Sequence, residues 1–229
     1  MTPSALHLSH LSHAWGDAPP LFDIADLALP QGDNLFIQGP SGCGKSTLLG
    51  MLAGVIAVQH GDCEVLGQAL KQLSAAQRDR LRGEHMGVIF QQFNLLPYLD
   101  VKTNVLLPTR LFPSRAAAAD QEWGSAEQQA LHLLHTLGLP KAVWQQGVNQ
   151  LSVGQQQRVA AVRALMGSPR LVIADEPTSA LDEANQLEFL DVLLGTARRQ
   201  AASVVMVSHN PQLASRFDQV FAMPLRGQP

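Results

Sequence analysis

The sequence predicts an α/β fold with a parallel-sheet core, an antiparallel β portion contributed early, and an inserted α-helical portion. Three observations predict it. Leu171-Val172-Ile173-Ala174 and Ser203-Val204-Val205-Met206-Val207 are continuous apolar runs of strand length, the pattern of strands buried on both faces of a parallel sheet. Gly39-Pro40-Ser41-Gly42-Cys43-Gly44-Lys45-Ser46 is a glycine-rich turn between a strand-like segment, Leu35-Phe36-Ile37, and a helix-like one, Thr47 to Ala53. From about Pro97 to Gln150 strand signals vanish. At 229 residues, 46% of them hydrophobic, the chain can hold one large domain.

In chain order, Leu6, Leu8 and Leu11, then Phe22 to Leu29, predict short strands separated by a turn at Gly16-Asp17-Ala18-Pro19-Pro20. Another strand pair is expected around Gly61 to Gly67. Ser74 and Gln77 have capping-box spacing and start a short helix expected to run through Arg82. Gly87-Val88-Ile89-Phe90 reads as a core strand ending at Gln91. Ser125 with Gln128 opens a helix whose Ala130, Leu133, Leu134 and Leu137 share one face, and Gly138 stops it. Arg115 to Gly124 is Ala-rich and weakly patterned, either helix or variable loop. Ser152 caps a helix containing Val159, Val162, Ala164 and Leu165.

Composition excludes several functions. A formal charge of -3 argues against a basic nucleic-acid footprint, so no nucleic-acid partner is expected. No run of about eighteen apolar residues occurs, so no segment is expected to span a membrane. Met1 to His13 carries no Lys or Arg and is not expected to be an export signal. Only two cysteines occur, and Cys43 lies where a disulfide would obstruct the glycine-rich turn, which predicts a reducing cytoplasmic compartment.

The turn at Gly39 to Ser46 fits the phosphate-binding pattern G-x-x-x-x-G-K-S/T. Glycines without Cβ let the backbone wrap a polyphosphate, so that N–H groups and the following helix N-terminus point at its oxygens. Lys45 adds a mobile charge for the β- and γ-phosphates, and the Ser46 hydroxyl can ligate Mg²⁺. The pattern implies binding of a nucleoside triphosphate. Asp175, at the end of an apolar strand, can reach Mg²⁺ directly or through water. Glu176 points one step further and can polarise an attacking water as general base. His209, after the next apolar strand, lies at the carboxyl edge where such sheets place ligands. It can contact the γ-phosphate and hold water and Glu176 in register. Gln91, also at a strand end, offers a neutral oxygen for Mg²⁺ or water. The helix capped by Ser152 presents bare N–H groups and a positive dipole end, a second anion site. Two such sites in one chain are explained if two chains pair head to tail.

These residues resemble a known family. Walker A at Gly39 to Ser46, a glutamine loop at Gln91, a signature at Leu151 to Gln155 and Walker B at Leu171 to Asp175 occur in order, followed by Glu176, Ser179-Ala180-Leu181-Asp182 and His209. The chain resembles an ABC-transporter ATP-binding subunit over nearly its whole length. Val88 to Pro97, Asn104-Val105 and Gln155 to Ala160 resemble the lipoprotein-release and macrolide-export branch. The resemblance implies a P-loop NTPase (RecA-like) core of about residues 1–91 and 160–229, and a helical subdomain of about 92–159, within one ABC ATPase domain spanning 1–229. It implies ATP and Mg²⁺, with ATP held by Gly39, Pro40, Ser41, Gly42, Cys43, Gly44, Lys45, Ser46 and Thr47 of one copy and Ser152, Gly154 and Gln155 of another. Trp15 would stack on adenine, Ser46, Gln91 and Asp175 would hold the metal, and Lys45, Gln91, Glu176 and His209 would serve hydrolysis. Asp182 would communicate across the dimer, and segments near Gln91 to Asp100 would touch an integral membrane permease at the cytoplasmic face of the inner membrane. The work done would be export or lipoprotein extraction, with a cell-division or envelope-signalling complex as the alternative.

The chain departs from the family at Val153, where glycine is usual. Valine at the first helical turn keeps its N–H, so the anion site survives, but its branched Cβ can crowd the opposing loop. His7, His10 and His13 recur every three residues, a period that scatters them over both faces of a strand without companion ligands. His132 and His135 share a helical face that reads as solvated surface.

Overall fold

A computed structural model describes residues 4–179 and 181–224; Ala180, within the stretch expected to communicate between copies, lies outside the described residues. Two sheets organise the chain. β1 (Ser4–His13), β2 (Phe22–Pro30), β4 (His60–Val65) and β5 (Gln68–Ala69) form an antiparallel sheet in the order β2-β1-β4-β5. β3 (Asn34–Gln38), β6 (Met86–Ile89), β7 (Leu171–Asp175), β8 (Ser203–Val207) and β9 (Gln219–Ala222) form a parallel sheet in the order β6-β7-β8-β3-β9.

The parallel sheet explains its own sequence. Successive side chains of a strand point to opposite faces, and here both faces are covered. Val172, Ala174, Val204 and Met206 enter one apolar cluster with Val105, Leu133, Val162 and Leu193 of the helices. Ile173, Val205 and Val207 enter a second, with Leu48 and Met51 of the helix after the glycine-rich turn and with Leu6, Leu8 and Ile24 of the antiparallel sheet. Residues on either side of each pleat therefore have to be apolar, and the strands read as unbroken hydrophobic runs.

Among the described residues seven α-helices fill the connections: α1 (Lys45–Leu52), α2 (Ala75–His85), α3 (Val101–Leu111), α4 (Pro113–Trp123), α5 (Ala126–Thr136), α6 (Val153–Leu165) and α7 (Glu183–Arg199). α2 starts at the expected capping box, Ser74 with Gln77, and runs on to His85, three residues past the expected end. The stretch left open at Arg115 to Gly124 is helical and stops at Gly124 in a left-handed C-cap (φ 78). Its Arg115 is buried, donating from Nη2 to Met86 O at 2.6 Å, and burial lowers its pKa to about 10. α3, α7 and β9 are elements that the sequence reading did not delineate. α6 is a single helix that joins the parallel sheet to the other helices: a Cβ on Gly87 of β6 would run into the Ala164 carbonyl oxygen.

Candidate nucleotide site

The glycine-rich turn leaves β3 and enters α1. Gly42 (φ 79) and Gly44 (φ 96) adopt left-handed conformations that residues with a Cβ resist. At Gly44 space adds a second demand, because a Cβ there would lie 2.8 Å from Phe22 Cδ1. α1 begins with no side-chain cap and no acidic residue in its first turn. Its orphan N–H groups and positive dipole end are thus open to an anion. Lys45 is buried, and its Nζ donates to the carbonyls of Gly39 at 2.8 Å and Pro40 at 2.9 Å. Cys43 turns its side chain into the apolar cluster with Leu48 and Met223, so the loop has only its backbone to offer there.

A cleft of about 340 Å³ opens over this turn. Ser41, Gly42, Gly44, Lys45, Ser46 and Thr47 line it, joined by Trp15, Leu21, Glu176 and His209. Leu21 was not among the sequence expectations; its neighbour Phe22 carries the only local signal, as an inward strand residue. Trp15 is 55% exposed and meets the buried His13 ring edge-on at 4.7 Å. β1 bulges at His10 (φ 47), so His7 is exposed and His13 is buried. Gly39 and Pro40 line an adjoining cleft with Ser208 and His209.

Two strand ends deliver the acid and the imidazole. Glu176 follows β7 in a left-handed conformation (φ 47), its N–H donating to Val207 O at 3.0 Å. That turn aims its carboxylate at the second residue after β8, and Glu176 Oε1 lies 2.7 Å from His209 Nε2. The contact is an ion pair when the imidazole is protonated and a hydrogen bond otherwise. Asp175 and Ser46 both line a neighbouring, mainly apolar cavity of about 140 Å³. Their oxygens are hard donors of the kind Mg²⁺ takes together with phosphate and water. Among the described residues no group of three or more His, Cys, Asp or Glu converges as a metal-ligand cluster.

Other expected residues stand apart. Gln91 is exposed and lines neither the cleft of Glu176 nor the cavity of Asp175; its predecessor Phe90 lines the latter. Ser152, Gly154 and Gln155 lie at the start of α6, and none of them lines a cleft with Lys45. Ser152 and Gln155 cap one another: Ser152 Oγ accepts from Gln155 N–H at 3.3 Å, and Gln155 Oε1 accepts from Ser152 N–H at 3.0 Å. Val153 is 53% exposed beside them. Asp182 caps α7, its Oδ1 accepting from Asn185 N–H at 3.0 Å, and these hydrogen bonds from Asn185 hold its carboxyl below the usual range. Leu181 packs near the signature: a Cβ on Gly154 would meet its Cδ2 at 3.3 Å.

Comparisons with known proteins fit this geometry. The profile of the ABC transporter family matches residues 22–179. The lipoprotein-releasing system ATP-binding protein LolD of Xanthomonas axonopodis pv. citri (strain 306) is 37% identical over 204 residues, covering 89% of this chain and 80% of that protein. The uncharacterized ABC transporter ATP-binding protein YbbA of Escherichia coli (strain K12) is 38% identical, covering 85% and 82%. The dimeric post-hydrolysis structure of the ATP-binding cassette MJ0796, bound to ADP and Pi, superposes with a TM-score of 0.82 at 29% identity, covering 95% of this chain and 94% of that one. No helix among the described residues is long and apolar enough to cross a membrane. With over half its length matched by the family profile, the chain belongs to the ABC transporter family, as an ATP-binding and ATP-hydrolysing subunit.

Proposed function

We propose that two copies of this chain clamp Mg-ATP between the phosphate loop of one and the α6 N-terminus of the other, and that hydrolysis drives a membrane permease in export or lipoprotein extraction. The Glu176–His209 contact of 2.7 Å, facing a cleft floored by Lys45 and the uncapped α1, carries this reading. The α1 amides and Lys45 bind the phosphates, with the lysine leaving the Gly39 and Pro40 carbonyls it now engages. Trp15, exposed at the cleft wall, stacks on the base. Ser46 and Asp175 would hold Mg²⁺, with Gln91 joining them once its loop moves inward, and the ion would supply neutralisation of phosphate charge. Glu176 takes the proton of the attacking water, and His209 orients both that carboxylate and the γ-phosphate.

The second copy supplies what the single chain does not bring to the cleft, namely Ser152, Gly154 and Gln155. The resemblance to a cassette solved as a dimer supports this arrangement. Permease contact falls to the loop after β6 and its rim, where Phe90 (41%), Tyr98 (78%) and Leu111 (67%) are exposed. Such a partner places the chain at the cytoplasmic face of the inner membrane. The lipoprotein-release assignment rests on the name carried by LolD. YbbA, a relative of similar identity, carries a transporter name that gives no cargo, and a non-transport envelope process is kept as the second reading. Turnover of Mg-ATP by the parent, Lys45→Ala and Glu176→Gln tests the chemistry; equal rates in all three refute it. Co-purification with a permease that has a large extracytoplasmic domain separates transport from other work.

A further inference from the structure

The link between the parallel sheet and the helical layer is a tight reversal just after β6. Phe93 N–H donates to Phe90 O at 2.9 Å and Asn94 N–H to Gln92 O at 2.7 Å. Phe93 (φ 59) and Asn94 (φ 49) are consecutive left-handed residues, a conformation that a bulky side chain resists. Their carbonyls converge on one guanidinium. Arg163 of α6 donates from Nη2 to Phe93 O and from Nη1 to Asn94 O, both at 2.6 Å. A planar two-pronged donor fixes direction as well as distance, which a lysine ammonium does not. Further along the loop, the fully buried Asn104 of α3 accepts from Leu96 N–H and donates to the carbonyls of Leu96, Leu99 and Asp100. The segment following Gln91 is therefore held by α6 and α3.

Arg163 sits one residue from the place where α6 crosses β6, marked by the close approach of Gly87 and the Ala164 carbonyl. From that crossing α6 runs roughly 18 Å to Ser152, at about 1.5 Å per residue. A small rotation at the crossing swings Ser152 and, through the fork, shifts the loop that begins at Gln91. We propose that Arg163 is a positioning residue: it couples the seating of α6 on the second copy's nucleotide to entry of Gln91 into the cavity lined by Ser46 and Asp175. This coupling rests on the ATPase reading above and adds a residue that the reading does not use.

Steady-state Mg-ATP hydrolysis by the parent, Arg163→Gln, Gln91→Ala and the double variant tests it. Arg163→Gln is expected to lower kcat about tenfold with ATP KM changed less than about twofold, because geometry and not ground-state binding is lost. The double variant is expected to be no slower than Gln91→Ala alone. Arg163→Lys, which engages one carbonyl at a time, is expected to recover only part of the rate. Additive losses, or a KM that rises in step with the fall in kcat, overturn the coupling. If Arg163→Gln does not fold, amide exchange in the parent decides instead. Protection of residues 93–99 and of α6 is expected to change together on adding Mg-ATP, and independent responses overturn it. A parent whose turnover survives Lys45→Ala refutes the ATPase reading, and the coupling falls with it; additivity in an active parent refutes the coupling alone.

Discussion

Gly87→Ala tests whether the β6–α6 crossing is as close as described. The added Cβ would run into the Ala164 carbonyl oxygen and lie 2.8 Å from its carbonyl carbon and 3.1 Å from its Cα. All three atoms are backbone, so no side chain can rotate away; α6 has to lift from the sheet. Val159, Val162 and Leu165, fully buried on that helix, then lose packing within the cluster that also holds Ile89 and Val172 of the sheet. A gap of about 0.5–1 Å forfeits a quarter to a half of each contact. Overpacking of this kind costs about 1–3 kcal/mol, and a backbone obstacle puts the change at the upper end. Against that, alanine restricts the unfolded chain and returns about 0.4–1 kcal/mol. The net loss is about 2–3 kcal/mol, a fall in Tm of roughly 5–10 °C for a chain of this size. Gly147→Ala is the control: its φ is -63 and nothing lies within 4 Å of the added Cβ. It should raise Tm by about 1–4 °C. Thermal unfolding followed by circular dichroism reads both, and a Gly87→Ala variant melting within about 2 °C of the parent would refute the crossing.

Trp15→Ala should weaken Mg-ATP binding about 5- to 150-fold, the worth of one base–aromatic stack, and calorimetry showing an unchanged Kd sinks the stacking role. Asp182 has its folded pKa held below the ordinary 3.8, so its stabilising contribution is present above that value and disappears as pH falls through the folded pKa. The gap in urea midpoint between the parent and Asp182→Ala should therefore hold at neutral pH and close below about pH 4; a gap that persists in acid contradicts it. Cys63 is buried and burial pushes its thiol pKa up to about 12, so a native thiol titration near neutral pH should leave it unmodified until denaturant is added. Val153→Gly removes an exposed branched side chain from the rim of the proposed second anion site and should tighten ATP-driven dimerisation in a Glu176→Gln background, read by size-exclusion chromatography; no change in dimer fraction counts against crowding there.

The parts legible in the sequence are those where local chemistry decides position. β7 and β8 announce themselves because both faces of the sheet are covered, and Gly42 and Gly44 because their left-handed φ and the nearby Phe22 ring demand glycine. The unread elements each hide a signal behind a competing one. α3 has a capping aspartate, Asp100, but carries Pro108 inside it, which argues against a helix. α7 has an apolar stripe through Phe189, Leu190, Leu193 and Leu194, and a cap at Asp182, but its start adjoins a stretch read for communication between copies. β9 is a four-residue edge strand with alternating exposure, too short to stand out. His13 became buried through a bulge at His10 that no period reveals. The Arg163 fork joins residues 69 and 70 positions apart through two left-handed carbonyls, and nothing local to Arg163 marks it.

The two helix ends that the proposed clamp sets against phosphate are built differently, and under that proposal the difference assigns them different tasks. α1 begins at Gly44 with no side chain on its first amides, so that end is completed only by what binds there. α6 begins with a closed box in which Ser152 and Gln155 satisfy each other's backbone, leaving the amides of Val153 and Gly154 without help from the cap. It needs no ligand to form, and it presents two donors already oriented. A preformed surface loses little freedom on docking, so nearly all of its contact energy is available to hold a partner. In the proposed clamp, capture of the nucleotide and closure of the pair are therefore separable free energies, the first set at Lys45 and Gly44 and the second at the tip of α6. A chain that must bind before it clamps, and must reopen after cleavage, needs that separation, because a single site responsible for both would release its dimer only by losing its ligand.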